Sequence, residues 1–205
     1  MRNVIEIAKD MAIFAHLNQK RKYSGAPYIE HPAQVVEMLK SIPGVSDNMI
    51  AAAWLHDTVE DCNVTFEDIE RECGTRVAQY VADLTDVSRP EDGNRAQRKA
   101  IDRLHSSKIC ASAQTIKLAD LIDNTCSILR HVNEGNKEAI NFAKTYFPEK
   151  RMLLEVLQQG DFRLWALADA FCKEYEILNA QWVPDSTYLW LYRPLRLPKS
   201  RRSRN

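Results

Sequence analysis

Apolar residues recur at three- and four-residue steps along almost the whole chain, while the alternation of Val, Ile and Thr that marks strands is nearly absent. That period places the apolar side chains on one face of successive helices and predicts an all-α fold. With only six glycines in 205 residues, the breaks between helices are few and legible. Ile5, Ala8, Met11, Ala12 and Ala15 form the stripe of a first helix running toward Gln19, and the polar run 20–27, with Gly25 and Pro27, ends it as a basic loop. His31 precedes Pro32, which suits a first helical turn and pushes its predecessor toward extended geometry, so His31 is expected at the N-cap. Val35, Val36, Met38, Leu39 and Ile42 continue that helix to Pro43-Gly44. Asp47 reads as the N-cap of a third helix through Ile50, Ala51, Trp54, Leu55 and Val59. Thr65, with Glu67 and Asp68 behind it, opens a fourth that Gly74 closes. Further helical patterns cover about 76–86, 94–106, 111–131, 136–158 and 162–180.

The length suits one globular domain, residues 1–180, followed by an appended segment, 181–205. In that segment Trp182, Tyr188, Trp190 and Tyr192 give way to Arg193, Arg196, Lys199, Arg201, Arg202 and Arg204. These arginines fit a short basic tail or an RNA contact, and the two tryptophans fit packing against the bundle or stacking on a base. Lys and Arg number 28 against 28 Asp and Glu, so bulk charge draws the protein to neither nucleic acid nor an anionic membrane. The five cysteines are scattered without a C-x-x-C pair, which argues against a disulfide framework or zinc knuckle and for buried reduced thiols. Glu6, Lys9 and Asp10 stand where a secretory signal would be apolar, and no stretch nears the roughly 20 apolar residues of a membrane span. A cytoplasmic location is expected; self-association is left open.

Chemistry concentrates in the third helix. His56, Asp57, Glu60 and Asp61 interrupt an apolar sequence, and unbroken helical spacing would stack His56 over Glu60 and Asp57 over Asp61. Burying so many ionisable groups uncompensated costs several kcal/mol, so the cluster should either face water or surround a cation. An isolated His-Asp pair at a helix end reads as ordinary solvated residues. Two other patches shift that balance: His31, pinned by Pro32, and Asp120, an acid inside the apolar run Ile116-Lys117-Leu118-Ala119-Asp120-Leu121-Ile122. Two imidazoles and two carboxylates suit manganese, iron, zinc or magnesium. A single ion with open positions is the natural inference.

The order His31, His56-Asp57, Asp120 resembles the metal signature of the HD phosphohydrolase superfamily. Ala15-His16-x-x-Gln19-x-Arg21-Lys22-Tyr23-Ser24-Gly25-x-Pro27-Tyr28-Ile29-x-His31-Pro32, His56-Asp57-Thr58-Val59-Glu60-Asp61 and Ile116-Lys117-Leu118-Ala119-Asp120 are similar to the hydrolase domain of the RelA/SpoT alarmone enzymes. The likeness spans about residues 4–155, and the chain is too short to add that family's synthetase and regulatory domains, which implies a stand-alone small alarmone hydrolase. The resemblance implies an all-α HD bundle with His31, His56, Asp57 and Asp120 as ligands of one manganese ion. It implies Glu60 and Asp61 as the catalytic acidic pair. Arg21 and Lys22 would contact base and phosphates, Lys117, Asn124 and Ser127 would hold the nucleotide, and Tyr146 would lie beside it. The implied reaction is removal of the 3′-diphosphate of ppGpp or pppGpp, yielding GDP or GTP and pyrophosphate.

The chain departs from the family in carrying Leu121 where Arg or Lys is common and Asp123 where His or Tyr is common. Both make the local field more negative and bear on phosphate recognition. They motivate a second reading, an HD phosphohydrolase acting on another phosphorylated nucleotide such as NADPH or a nucleoside phosphate. A third is a non-catalytic nucleotide- or RNA-binding protein, against which the intact Glu60-Asp61 pair argues. In mechanism, a divalent ion lowers the pKa of bound water from near 16 toward neutrality, and Glu60 and Asp61 would orient that water and move its proton. His16 reads as a hydrogen bonder behind the site, His105 and His131 as surface residues. Asn94 through Lys99 fits either a solvated face or a rim that attracts phosphate.

Overall fold

The computed structural model describes residues 2–180, so the aromatic and basic segment 181–205 lies outside the described residues. Ten α-helices follow one another: α1 (Val4–Ala15), α2 (Glu30–Lys40), α3 (Asp47–Leu55), α4 (Thr58–Asp61), α5 (Phe66–Cys73), α6 (Thr75–Leu84), α7 (Arg95–Ser106), α8 (Ala111–Asn133), α9 (Lys137–Leu154) and α10 (Phe162–Ala180). A single 3-10 turn, Pro90–Asp92, precedes α7. Among the described residues the only β-type pairing is an antiparallel bridge between Lys20 and Pro27. No helix among them is long and apolar enough to cross a membrane.

Local chemistry explains most boundaries. Asn3 caps α1 in a reciprocal box with Glu6, and Thr65 does the same for α5 with Asp68. Gly74 ends α5 at φ +89°, a left-handed conformation that suits glycine. Three expected boundaries move. The first helix ends at Ala15 rather than near Gln19. Ser46, not Asp47, caps α3, because its hydroxyl accepts from the Met49 amide; Asp47 becomes the first helical residue, where its charge favours the positive helix end. His31 is not an N-cap: α2 begins at Glu30, since turn bonds from the Glu30 amide to Pro27 and from the His31 amide to Tyr28 start the helix one residue earlier.

The long helix α8 is the centre of the bundle. It packs against α2, α3, α6, α9 and α10, while α1 lies across α3. Ile116, Leu118, Ala119, Leu121 and Ile122 bury its apolar face. Lys117, Asp120, Asn124 and Ser127 recur at three- and four-residue steps on another face, so one rigid rod carries a row of polar groups through the core. The turn before α10 approaches this rod closely: a Cβ placed on Gly160 would meet Leu118 Cδ1 at 2.6 Å and the backbone of Gln114 at 3.1 Å. The five cysteines form no disulfide; Cys73 and Cys172 are buried, but Cys110 is exposed and Cys62 and Cys126 are partly so. His131 is buried against the Tyr23 ring and bonds Glu134, contrary to its expected surface position, because α8 continues through it to Asn133. Gly160→Ala is expected to lower stability by about 1–3 kcal/mol through overpacking against α8, read as a reduced urea midpoint at unchanged slope.

Candidate metal centre and cleft

The third helix breaks where the chemistry begins. It ends at Leu55, His56 and Asp57 form the joint, and α4 restarts at Thr58. Two side chains take the carbonyls that a continuous helix would use: the His56 Nδ1–H donates to Ala53 O at 2.8 Å and the Thr58 hydroxyl to Leu55 O at 2.7 Å. Consecutive residues of an unbroken helix point about 100° apart. His56 and Asp57 keep right-handed helical dihedrals at the joint, with φ −57° and −99°, and their side chains nevertheless meet, His56 Nε2 lying 3.1 Å from Asp57 Oδ2. The expected helical step from Asp57 to Asp61 is kept, the Asp61 amide donating to Asp57 O at 2.9 Å.

His31, from the first turn of α2, and Asp120, from the middle of α8, complete the convergence. His31 Nε2 lies 3.2 Å from His56 Nε2, 3.1 Å from Asp120 Oδ1 and 3.5 Å from Asp57 Oδ2, and His56 Nε2 lies 3.6 Å from Asp120 Oδ1. Donors about 2.1 Å from a common ion stand roughly 3 Å apart at neighbouring positions. His31, His56 and Asp57 bring one ligand atom each within 4.8 Å of the other two, and Asp120 joins them through the two histidines.

Each of the four groups is held by a further hydrogen bond, the histidines through Nδ1 and the carboxylates through the oxygens that face the centre. His31 Nδ1–H donates to Asp123 Oδ2 at 2.6 Å, Tyr28 OH donates to Asp57 Oδ2 at 2.5 Å, and Asn124 Nδ2 donates to Asp120 Oδ1 at 2.6 Å. Because carbonyl and carboxylate oxygens accept, both histidines carry hydrogen on Nδ1, which turns Nε2 of each ring toward the centre, where it holds either a proton or a metal ion. Two ring nitrogens 3.2 Å apart, flanked by two carboxylates, form a centre that draws positive charge, as protons or as a metal ion. Burial opposes a charged His31, yet bonds to Asp120, Asp123 and Asp57 outweigh it and raise its imidazole to about 10. Burial likewise opposes charge on Asp57 and Asp120, but the two histidines hold both carboxyls well below the usual range.

Beside this centre opens a cavity of about 140 Å³, walled by α4, α6, α7, α8 and α9. Glu60 lines it and Asp61 does not. Glu60 Oε1 accepts from the Asp86 amide at 2.5 Å. Burial raises its carboxyl; that amide bond pulls the other way, and the charges of Asp86 and Asp57 add to the rise, leaving it near 7. Asp61 instead accepts from Gln19 Nε2 at 2.8 Å, and Gln19 in turn meets His16 Nδ1 at 2.5 Å. Buried His16 also packs its ring on Tyr28, so it stands behind the residue that holds Asp57.

The remaining expected contacts divide. Lys117 lines the cavity, where its ammonium donates to Leu84 O at 2.8 Å. Arg21 is committed within the protein, to Asp123 at 2.9 Å and Asn124 at 3.1 Å. Lys22 lies over the Tyr23 and Phe142 rings, Ser127 sits one turn beyond Asn124, and Tyr146 is buried with its hydroxyl 3.2 Å from Thr125 Oγ1. Asp123, whose charge stood out in the sequence as a departure, is neutralised by Arg21 and orients His31. Leu121 is a buried wall of the cavity. Lys99, one of the two readings of its patch, lines the cavity, as do Arg103, Ser106 and Lys150, which sequence spacing does not single out.

The HD-domain family pattern matches residues 8–144. The chain is 36% identical over 133 residues to guanosine-3′,5′-bis(diphosphate) 3′-pyrophosphohydrolase MESH1 of Xenopus tropicalis, covering 64% of this chain and 73% of that one. To MESH1 of Homo sapiens it is 33% identical over 153 residues, 74% of this chain and 83% of the relative. Among solved structures it is similar, at a TM-score of 0.72 and 26% identity over 87% of this chain and 98% of the other, to one described as a metazoan ortholog of SpoT that hydrolyzes ppGpp. Asp123→Asn, which keeps the shape but weakens the grip on His31, is expected to lower divalent-metal affinity about 10–100-fold, measured by titration followed in intrinsic fluorescence, with the helical circular dichroism unchanged.

Proposed function

The chain belongs to the HD-domain family, and from that premise we propose that it is a manganese-dependent (p)ppGpp 3′-pyrophosphohydrolase. The observation that carries this reading is the four-donor centre, each donor fixed by a further hydrogen bond, with a carboxyl poised near neutrality on the adjoining wall. His31, His56, Asp57 and Asp120 would hold the ion. When bound, a divalent ion acidifies water and withdraws charge from a phosphoryl oxygen.

The protein's own groups supply the rest. Glu60, near 7, can accept a proton from the attacking water and return one to the departing ribose 3′-oxygen. The bond that forms joins water oxygen to the phosphorus next to the ribose, and the bond that breaks is from that phosphorus to the 3′-oxygen; GDP and pyrophosphate leave. Asp61, bonded to Gln19, ties α4 to the loop after α1 and so fixes where Glu60 stands. Lys117 and Lys99 on the cavity wall offset phosphate charge. The relatives named for ppGpp hydrolysis support the choice of substrate.

A second reading, cleavage of another phosphorylated nucleotide such as NADPH, is favoured by one observation: Arg21 is paired with Asp123 and so is less available to a guanosine nucleotide. Incubation with ppGpp, NADPH and common nucleotides, with and without manganese, separates the readings. Manganese-dependent pyrophosphate release from ppGpp is expected. Orthophosphate release from NADPH with ppGpp untouched would move the assignment to the second. Chelation should abolish turnover and manganese restore it. Glu60→Gln is expected to lower kcat by about 10²–10⁴-fold while retaining metal, measured by single-turnover kinetics alongside metal content.

A further inference from the structure

One side of the cavity carries cationic groups that the protein does not pair directly. Four cationic side chains line it: Lys99, Arg103, Lys117 and Lys150. The carboxylates beside them are largely engaged. Asp86 takes Lys99 at 2.5 Å and lies 3.8 Å from Lys117. Asp102 accepts from the Val87 and Ser88 amides and from the Ser88 hydroxyl, with Lys99 at 3.5 Å. Glu149 is held by both arms of Arg95 at 2.8 Å.

Lys150 and Arg103 are left over. Among the described residues Lys150 has no carboxylate within ion-pair reach and rests its ammonium 5.0 Å above the Tyr146 ring. Among the described residues Arg103 donates to the Met152 sulfur, at 3.7 Å, a weak acceptor, and pairs with no carboxylate. Burial, with Lys117 and Lys99 nearby, makes charge on Lys150 costly, although Asp120 and Asp86 oppose this. Ser106 adds an independent sign. Ser106 is 1% exposed, its hydroxyl has no hydrogen-bond partner among the described residues, and it lines the same cavity. An unpaired buried hydroxyl is uncommon and calls for a partner that the protein itself does not provide.

We propose that this side of the cleft is a diphosphate subsite in which Lys150, Lys117, Arg103 and the Ser106 hydroxyl receive the two phosphoryl groups that leave as pyrophosphate. The inference rests on the hydrolase reading for its direction, since it sets the leaving group inside and the nucleoside outside. The cavity size agrees: about 140 Å³ is below the roughly 300–1,000 Å³ of pockets that enclose a whole organic ligand. Glu60 and Asp120 line the same cavity, so a diphosphate seated there would present its inner phosphorus to the metal centre.

The test is calorimetric titration of inorganic pyrophosphate, orthophosphate and guanosine into the metal-free full chain and its variants. Pyrophosphate is expected to bind more tightly than orthophosphate, with no competition from guanosine. Lys150→Met should weaken pyrophosphate by about tenfold or more, and Ser106→Ala by a smaller factor, with manganese affinity unchanged. Arg103→Ala, at a partly exposed position, carries the same expectation should Lys150→Met fail to fold. Wild-type affinity for pyrophosphate in the folded Lys150 or Arg103 variant, or no pyrophosphate binding by the wild type, overturns the subsite. Pyrophosphate binding lost on substitution in a protein that ignores ppGpp would keep the subsite and remove the substrate assignment. Turnover of ppGpp with pyrophosphate binding indifferent to these substitutions would do the reverse.

Discussion

Two imidazoles turn Nε2 toward one another across 3.2 Å with two carboxylates on the same centre, and this arrangement demands positive charge there, either as protons on the rings or as a metal ion in their place. The surrounding protein prevents the usual escape of turning a ring over, because Ala53 and Asp123 take the Nδ1 hydrogens. Tyr28 and Asn124 restrain the carboxylates in the same way. Burying so many ionisable groups together is costly for a fold. A metal ion that displaces the imidazole protons meets both Nε2 atoms and both carboxylates at one point, which is why the arrangement reads as a metal centre.

Much of the bundle serves this geometry. At the joint between α3 and α4 the His56 ring and the Thr58 hydroxyl capture backbone carbonyls, which fixes the His56 ring with Nε2 toward the centre. α8 is straight, long and buried, so Lys117, Asp120 and Asn124 are fixed by helical rise alone while Leu118 and Ile122 anchor the rod. The basic loop before α2 is tied down by the Arg21 amide on Ala26 and by Gly25 at φ +67°, and it returns Arg21 to Asp123 behind the His31 ring. Positioning thus spreads across elements distant in the chain, and the rigid helices hold the donors to the tolerance that metal binding requires.

The helices and the four donors were legible in the sequence for a simple reason: period and motif are local signals. Apolar spacing located α5 through α10 closely, and His31, His56-Asp57 and Asp120 stood out as ionisable groups in apolar runs. What was not legible depends on approach between elements. The break after Leu55 carries side-chain bonds that an unbroken apolar pattern conceals. Asp123 looked like a surplus charge because its partners, His31 and Arg21, lie about a hundred residues away. Lys150 belongs to the run Glu149-Lys150-Arg151, which reads as a solvated helix face until α9 is laid beside α7 and α8. Arg21 shows the opposite error: a basic residue in a polar loop invites assignment to substrate, yet its guanidinium closes a network inside the protein.

The most direct measurement is anomalous diffraction from crystals equilibrated with manganese. Expected is one strong peak per chain, enclosed by His31 Nε2, His56 Nε2 and the Asp57 and Asp120 carboxylates, with Nδ1 of His31 still on Asp123. No peak among these four side chains, or a peak only elsewhere on the molecule, would contradict the metal centre and with it the hydrolytic function built upon it.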